Sequence, residues 1–220
     1  LVNLILDTAE QKGTGKWASQ VALDLGVTAP TIANAVFART ISALQLERVK
    51  ASQVLAGPVA LNAGDRQTVL GKIQKALLGA KICAYAQGFS LLKAADKEHQ
   101  WALPMGTVAS VWRAGCIIRA QLLADITRAY ERSPHLDNLL MDTHFAGVMA
   151  RSQQDLREVV AMGALHGVAV PSFMSALSYY DAYRSARLPA NLLQAQRDYF
   201  GAHTYQRVDR PGKFHTRWMD

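Results

Sequence analysis

The segment Lys12-Gly13-Thr14-Gly15-Lys16 is where the residue types most directly suggest chemistry, because glycines, lysines and a hydroxyl together favour phosphate binding. It does not match the P-loop pattern, in which a Gly is followed after four residues by Gly-Lys-Ser/Thr. Trp17 follows Lys16, and Glu10 stands where the first Gly is required. The dinucleotide fingerprint also fails, since Ala18 replaces its third Gly and no strand pattern precedes the loop.

What remains is a glycine-containing loop in front of a helix that we expect to begin near Trp17. Backbone N–H groups at a helix start attract anions, and the side chains of Lys12 and Thr14 would add to that attraction. By spacing alone, a plain connection between helices is the favoured interpretation of this loop. The alternative is one wall of an anion pocket, with Gly13 and Gly15 allowing close approach and Trp17 anchoring the loop to the helix behind it.

Arg39 is the second candidate, because it lies in a strongly apolar helical stretch beside Ala35, Val36 and Ala43. A basic residue on such a face needs a partner. An ion pair with a nearby carboxylate would satisfy it. A phosphate bound in a pocket would do so equally well, since the guanidinium fork fits phosphate oxygens.

Arg197 and His203 flank the predicted end of the last helix and are weaker candidates by spacing alone. We predict no metal site, because the remaining histidines show no ligand spacing with Cys or a carboxylate. Those histidines are His99, His135, His144, His166 and His215. No Ser/His/Asp set stands out in the sequence.

The elements that must position these residues are helices, since apolar residues recur at three- and four-residue steps along most of the chain. The pattern predicts helical runs at residues 30–54, 66–99, 107–132, 136–165, 171–187 and 189–200. Asp65 and Thr107 are predicted N-caps, Pro189 a first-turn residue and Gly201 a C-cap.

Periodicity disappears after Gly201. Residues 203–207 are polar and could be extended, and Asp209-Arg210-Pro211-Gly212 is typical of a turn. The resulting prediction is an all-α fold. A large helical domain with long central helices covers residues 1–200, and an extended C-terminal tail that docks on this domain or on a partner subunit covers residues 201–220.

Composition excludes several classes of protein. The chain has 220 residues, is 50% hydrophobic and carries a formal net charge of +7, so we expect a folded protein with anionic partners. The basic residues are scattered, which argues against nucleic-acid binding, and no apolar stretch is long enough to span a membrane. Cys83 and Cys116 lie in apolar helical runs and are predicted to be small buried hydrophobes in a reducing compartment, the cytoplasm.

Several segments together resemble the 6-phosphogluconate dehydrogenases. These are Gln11 to Trp17, Val36-Phe37-Ala38-Arg39, Tyr85-Ala86-Gln87-Gly88-Phe89, residues 112–119, and residues 188–205, which contain Gln196-Arg197-Asp198-Tyr199-Phe200-Gly201-Ala202-His203. The last segment is the most specific. The resemblance runs in order along the whole chain, but it corresponds only to about the second half of a family member.

The resemblance implies an enzyme that oxidises 6-phosphogluconate with NADP and decarboxylates the 3-keto acid to ribulose 5-phosphate and CO2, without a metal. It places phosphate binding on Lys12, Thr14 and Arg39, with Arg197 and His203 reaching the neighbouring site of a homodimer. The family's NADP-binding domain, its general-base lysine and its general-acid glutamate lie upstream and are absent from this chain. We therefore expect the chain to be inactive by itself.

Two other functions are compatible with the sequence. One is a free-standing, non-catalytic dimerisation or regulatory module derived from the same family. The other, less favoured, is a basic helical nucleic-acid binder, which would bind DNA with a steep dependence on salt.

Overall fold

The computed structural model describes residues 1–58, 64–113 and 121–219, and over these residues the predicted all-α fold is confirmed. The helices are α1 (Thr14–Asp24), α2 (Pro30–Ala43), α3 (Gln45–Val54), α4 (Arg66–His99), α5 (Met105–Val111), α6 (Leu122–Arg132), α7 (Thr143–Leu165), α8 (Pro171–Tyr183) and α9 (Ala190–Gly201). Short 3-10 turns occupy Val2–Leu4 and Leu139–Met141. Strands β1 (Tyr205–Gln206) and β2 (Lys213–Phe214) pair antiparallel, with Tyr205 opposite Phe214.

The chain forms two compact units, Leu1–Tyr180 and Asp181–Asp220. The first contains α1 to α7 and most of α8. The second contains α9 and the β1–β2 hairpin, so residues 201–219 are ordered around α9 as a small unit of their own.

Packing of α4 against α7 builds the core of the first unit. Phe89 of α4 and Phe145 and Leu156 of α7 are almost completely buried there. Each side chain of this size contributes about 1.5–3 kcal/mol when it leaves water. The exposed edge of the pair carries an ion pair, with Lys72 Nζ 2.6 Å from a Glu158 carboxylate oxygen.

Helix α4 has the bounds that its sequence pattern predicts. Its predicted N-cap is confirmed, because the Asp65 carboxylate accepts hydrogen bonds from Thr68 N at 2.8 Å and from the Thr68 hydroxyl at 2.7 Å. These bonds satisfy an amide at the helix start that has no partner within the helix. Near its middle, Gln87 and Phe89 are both buried, so α4 supports several neighbouring elements at once.

Several predicted boundaries are wrong. The run at 30–54 is interrupted at Leu44, which separates α2 from α3. Thr107 is not a cap, because α5 begins at Met105 behind Pro104. The fourth run starts at Thr143 instead of 136, since the Asp142 carboxylate caps α7 by accepting from His144 N at 3.0 Å.

The last two helices are also shifted from their predicted ends. Helix α8 stops at Tyr183, four residues before the predicted 187. Pro189 is the N-cap of α9 instead of a first-turn residue. Gly201 is the last helical residue, and Ala202 takes the left-handed C-cap position with φ 50°.

Cys83 is fully buried, as predicted for a small hydrophobe, and burial raises the pKa of its thiol to about 12. Cys116 lies outside the described residues. Within the described ranges no helix is long and apolar enough to cross a membrane, and no three His, Cys, Asp or Glu side chains converge as metal ligands would.

Candidate anion-binding site

The first unit has a cleft of about 360 Å³ between the start of α1 and one face of α2. Lys12, Thr14 and Arg39 all line it. These are the three side chains of this unit for which the resemblance implies phosphate binding. Thr31 and Ser172 add further hydroxyl groups to the lining.

Helix α1 begins inside this cleft at Thr14, three residues earlier than the predicted start near Trp17. Gly13 is its N-cap, and φ 98° at this residue is a left-handed conformation that favours glycine. The first hydrogen bond of the helix runs from Trp17 N to Gly13 O at 2.9 Å. The amides of Thr14, Gly15 and Lys16 therefore lie in the first turn, where no intrahelical acceptor exists and an anion is favoured.

Gly15 allows α1 to approach α2 closely. A Cβ atom at this position would lie 2.9 Å from Val36 Cγ2, a distance that real Cβ contacts do not reach. The glycine thus permits the packing that places the first turn of α1 against the face of α2.

The segment before α1 is fixed along α2 and α3 by three contacts. Arg48 Nη1 lies 2.8 Å from Asp7 Oδ2, Ala9 N donates to the Ser42 hydroxyl at 2.9 Å, and Arg39 Nη1 donates to the Glu10 carbonyl at 3.2 Å. The hydrogen bond from Arg48 lowers the pKa of Asp7 below its ordinary value. Lys12 follows this anchored segment, which directs it to the cleft.

A buried amide fixes the opposite wall of the cleft. Gln87 of α4 is fully buried; its Oε1 accepts from Thr31 N and its Nε2 donates to the Thr31 hydroxyl, both at 2.9 Å. Thr31 is in the first turn of α2, so this pair joins the start of α2 to the centre of the core. Sequence reasoning missed Gln87, although a Gln inside an apolar helical stripe was a usable signal.

Arg39 and Lys12 are both exposed, and within the described residues no carboxylate pairs with either. Of the two explanations for Arg39, the local ion pair is therefore wrong. Its guanidinium donates to the backbone carbonyl of Glu10, which leaves further N–H donors facing the cleft.

The predicted anchoring role of Trp17 is wrong, because its side chain is 65% exposed on α1. Ala22 is the buried residue of α1, and the close approach at Gly15 replaces a large side chain as the link to α2. Trp17 lies five residues before Ala22, which is about 140° away around a helix at 100° per residue, so the two side chains do not share a face.

Arg197 and His203 lie in the second unit, where both are exposed near the end of α9. Between them lies Asp198, a residue that the sequence analysis did not single out. Its carboxylate is fully buried and accepts four hydrogen bonds. The donors are Thr204 N and His215 Nδ1 on Oδ1, and Thr216 N and Trp218 Nε1 on Oδ2, at 2.9 to 3.0 Å.

Burial alone would raise the pKa of Asp198, but the hydrogen bonds from Thr216, His215, Trp218 and Thr204 outweigh it and hold the pKa well below the ordinary value. The carboxylate therefore stays charged at neutral pH. Arg210, to which the sequence assigned no role, packs over the Phe214 ring of the same hairpin at 4.6 Å from its centroid.

Comparisons with known proteins assign the chain to a family. Residues 1–218 match the family described as 6-phosphogluconate dehydrogenase, C-terminal domain. The NADP(+)-dependent, decarboxylating 6-phosphogluconate dehydrogenase of Bacillus subtilis is 56% identical over 220 residues, which is 100% of this chain and 47% of that protein. The decarboxylating enzyme of Lactococcus lactis subsp. lactis is 55% identical over 99% of this chain and 46% of its own length.

A solved structure shares the fold as well. It is the 6-phosphogluconate dehydrogenase of Plasmodium falciparum, described in its apo form and in complex with NADP+ and with 6-phosphogluconate, and it superimposes with a TM-score of 0.91 at 40% identity. The match covers 99% of this chain and 47% of that one. The chain thus spans about half the length of the relatives it matches, and over that half it belongs to the 6-phosphogluconate dehydrogenase family as a C-terminal domain.

Proposed function

We propose that this chain supplies the substrate-phosphate site of an NADP-dependent dehydrogenase that converts 6-phosphogluconate to ribulose 5-phosphate and CO2. In this proposal Lys12, Thr14 and Arg39 bind the phosphate group. The observation that carries it is the shared cleft, in which these three side chains meet the first turn of α1.

The chemistry of the cleft suits a phosphate dianion. The exposed guanidinium of Arg39 offers a planar fork for two oxygens, and Lys12 offers a compact charge. The Thr14 hydroxyl and the first-turn amides of α1 add neutral donors without adding charge. A sugar acid without a phosphate would leave this set of donors unmatched.

We place the dinucleotide-binding site and the catalytic acid and base outside this chain. Among the described residues, the only strands are β1 and β2, and Gly13-Thr14-Gly15 follows no strand, so the fold for a dinucleotide is not formed. The name of the Bacillus subtilis relative specifies NADP(+), and its length is about twice that of this chain. We therefore place cofactor binding, the general base and the general acid in an N-terminal half, and we expect the chain alone to be inactive.

The proposed assembly is a cytoplasmic homodimer in which Arg197 and His203 reach the cleft of the partner subunit. Both side chains are exposed in the second unit, which leaves them accessible to a partner. A phosphate held by Lys12, Thr14 and Arg39 has room for further cationic donors, because the cleft is open to solvent at Arg39.

The phosphate site is tested by substituting its cations in the full-length enzyme. Arg39→Met removes a charged donor from the phosphate, and we expect affinity for 6-phosphogluconate to fall roughly 100-fold. Lys12→Met should cost about tenfold. Lys16→Met is the matched control, because Lys16 is equally basic and only four residues away but does not line the cleft.

Isothermal titration with 6-phosphogluconate and with gluconate measures these effects. The loss should be confined to the phosphorylated ligand, and Lys16→Met should bind within about twofold of wild type. Equal losses for Lys12→Met and Lys16→Met, or unchanged affinity for Arg39→Met, would remove the cleft as the phosphate site. Measurable NADP-dependent turnover by the pure 220-residue chain would contradict its proposed inactivity.

Site sharing between subunits is tested by mixing two variants of the full-length enzyme, Arg39→Met and Arg197→Met, and assaying them at a 6-phosphogluconate concentration too low for either variant to turn over. If the second unit serves the partner's cleft, a heterodimer combines both defects in one site and leaves the other intact. Random exchange should then restore roughly a quarter of wild-type activity. No recovery after verified subunit exchange would place Arg197 beside its own cleft instead.

A further inference from the structure

The connection between α9 and β1 is strained where it carries His203. Ala202 has φ 50° and Thr204 has φ 62°, so two residues with side chains are in the left-handed region. This conformation is unusual for alanine and costly for a β-branched residue such as threonine. Such strain persists only where surrounding contacts hold it.

Asp198 supplies those contacts. Its backbone carbonyl accepts from Ala202 N at 2.9 Å, and its Oδ1 accepts from Thr204 N at 3.0 Å. The residues before and after His203 are therefore both bonded to Asp198. The carboxylate is itself fixed by the hairpin, through His215 Nδ1, Thr216 N and Trp218 Nε1.

The imidazole of His203 has a defined place as a result. It folds back over the end of α9, where a Cβ at Gly201 would lie 3.1 Å from His203 Cδ2 and 3.2 Å from Nε2. These distances are tighter than most Cβ contacts allow, so an alanine here would displace the ring. The ring nevertheless remains exposed, because it covers the helix end from outside.

We propose that Asp198 is a positioning residue for 6-phosphogluconate binding, which holds the His203 imidazole over Gly201 by clamping both ends of the strained turn. The proposal rests on the proposed function, in which His203 and Arg197 bind substrate. Asp198 is buried and does not touch the substrate. Its effect reaches the site through the backbone of residues 202–204.

A purely structural role would have different consequences. Asp198 has four donors, and only Thr204 N lies in the turn that carries His203. Trp218 donates to the other oxygen, Oδ2, at 2.9 Å. Trp218→Phe therefore loosens the hairpin while the clamp on Thr204 remains, and it is the matched control for Asp198→Asn.

The test compares kcat and KM in the full-length enzyme for Asp198→Asn, Trp218→Phe, His203→Ala and the double variant Asp198→Asn/His203→Ala. Asparagine has one acceptor oxygen and an NH2 group, so it cannot accept from Thr204 N and from the donors on Oδ2 together. The weakened clamp should raise KM for 6-phosphogluconate about tenfold in Asp198→Asn. KM for NADP+ should stay unchanged, and Trp218→Phe should leave both values near wild type. The double variant should match His203→Ala, because the clamp has no effect once the imidazole is gone.

If Asp198→Asn raises KM as much in the His203→Ala background as in wild type, Asp198 does not act through His203 and the proposal is overturned. Should Asp198→Asn unfold the hairpin, Gly201→Ala tests the same placement without touching the carboxylate. It should raise KM about threefold, and an unchanged KM would overturn the proposal. Failure of the proposed function gives another pattern, in which Arg39→Met and His203→Ala themselves leave KM unchanged.

Discussion

The candidate residues of the two units are held in place by different interactions. Lys12, Thr14 and Arg39 depend on helix packing, with α1 against α2 at Gly15 and α2 fixed to α4 by the neutral pair Thr31 and Gln87. His203 depends on one buried carboxylate that collects donors from a turn and a hairpin. The first arrangement should respond to changes in side-chain volume, and the second to changes in charge.

The largest loss of stability is expected from Gly15→Val, which tests the dependence of the first unit on side-chain volume. The added side chain would collide with Val36, so α1 must move away from α2, at a cost of about 3 kcal/mol in the free energy of unfolding. Urea denaturation of the 220-residue chain measures the loss. Val36→Ala in the same chain should recover part of it, and a stable Gly15→Val variant that gains nothing from Val36→Ala would contradict the packing argument.

A smaller effect is expected from Gln87→Leu, which keeps the volume but leaves the amide and hydroxyl of Thr31 without their partner. Leaving these buried groups unsatisfied should cost about 2 kcal/mol in stability. Denaturation of the double variant Gln87→Leu/Thr31→Val provides the comparison. The double variant loses the Thr31 hydroxyl together with the Gln87 amide, so that hydroxyl is not left unsatisfied. The double variant should therefore be more stable than Gln87→Leu alone.

The third effect is a loss of stability in the second unit when Asp198 is protonated, which happens only in acid. The pKa of Asp198 is lowered in the folded hairpin, so its contribution to stability is complete above the ordinary Asp pKa of about 3.9 and is lost as pH falls towards the native value. Amide signals of Thr204 and Thr216, followed by NMR during acid titration, should change before that of Thr31. The opposite order would mean that charge is not what holds the hairpin.

Much of this fold could be predicted because the signals were local. Helix α4 combines a capping aspartate with uninterrupted periodicity, and both were visible in the sequence. The break at Leu44 had no Gly or Pro to mark it, and the start of α5 at Met105 behind Pro104 was hidden by a nearby threonine that looked like a cap. These boundaries are decided by packing between helices, which no short segment of sequence contains.

The candidate functional residues also divide into those that the sequence predicted and those that it did not. Lys12, Thr14 and Arg39 were predicted from residue type and resemblance, and the structure brings them to one cleft. Asp198 was missed because its donors come from Thr204, His215, Thr216 and Trp218, at spacings that match no motif. Trp17 was misjudged because its residue type suggested an anchor, whereas the contact of α1 with α2 is made at Gly15.

The hydrogen bonds of Asp198 also bear on the order of folding. The farthest of them joins residues 20 positions apart, whereas the Thr31–Gln87 pair spans 56 positions. Contacts between near neighbours close small loops and form quickly, while distant pairs must wait for the chain to collapse. The α9–hairpin unit should therefore form early when the unfolded chain refolds, so that His203 is carried by a finished structural element before any second subunit is met.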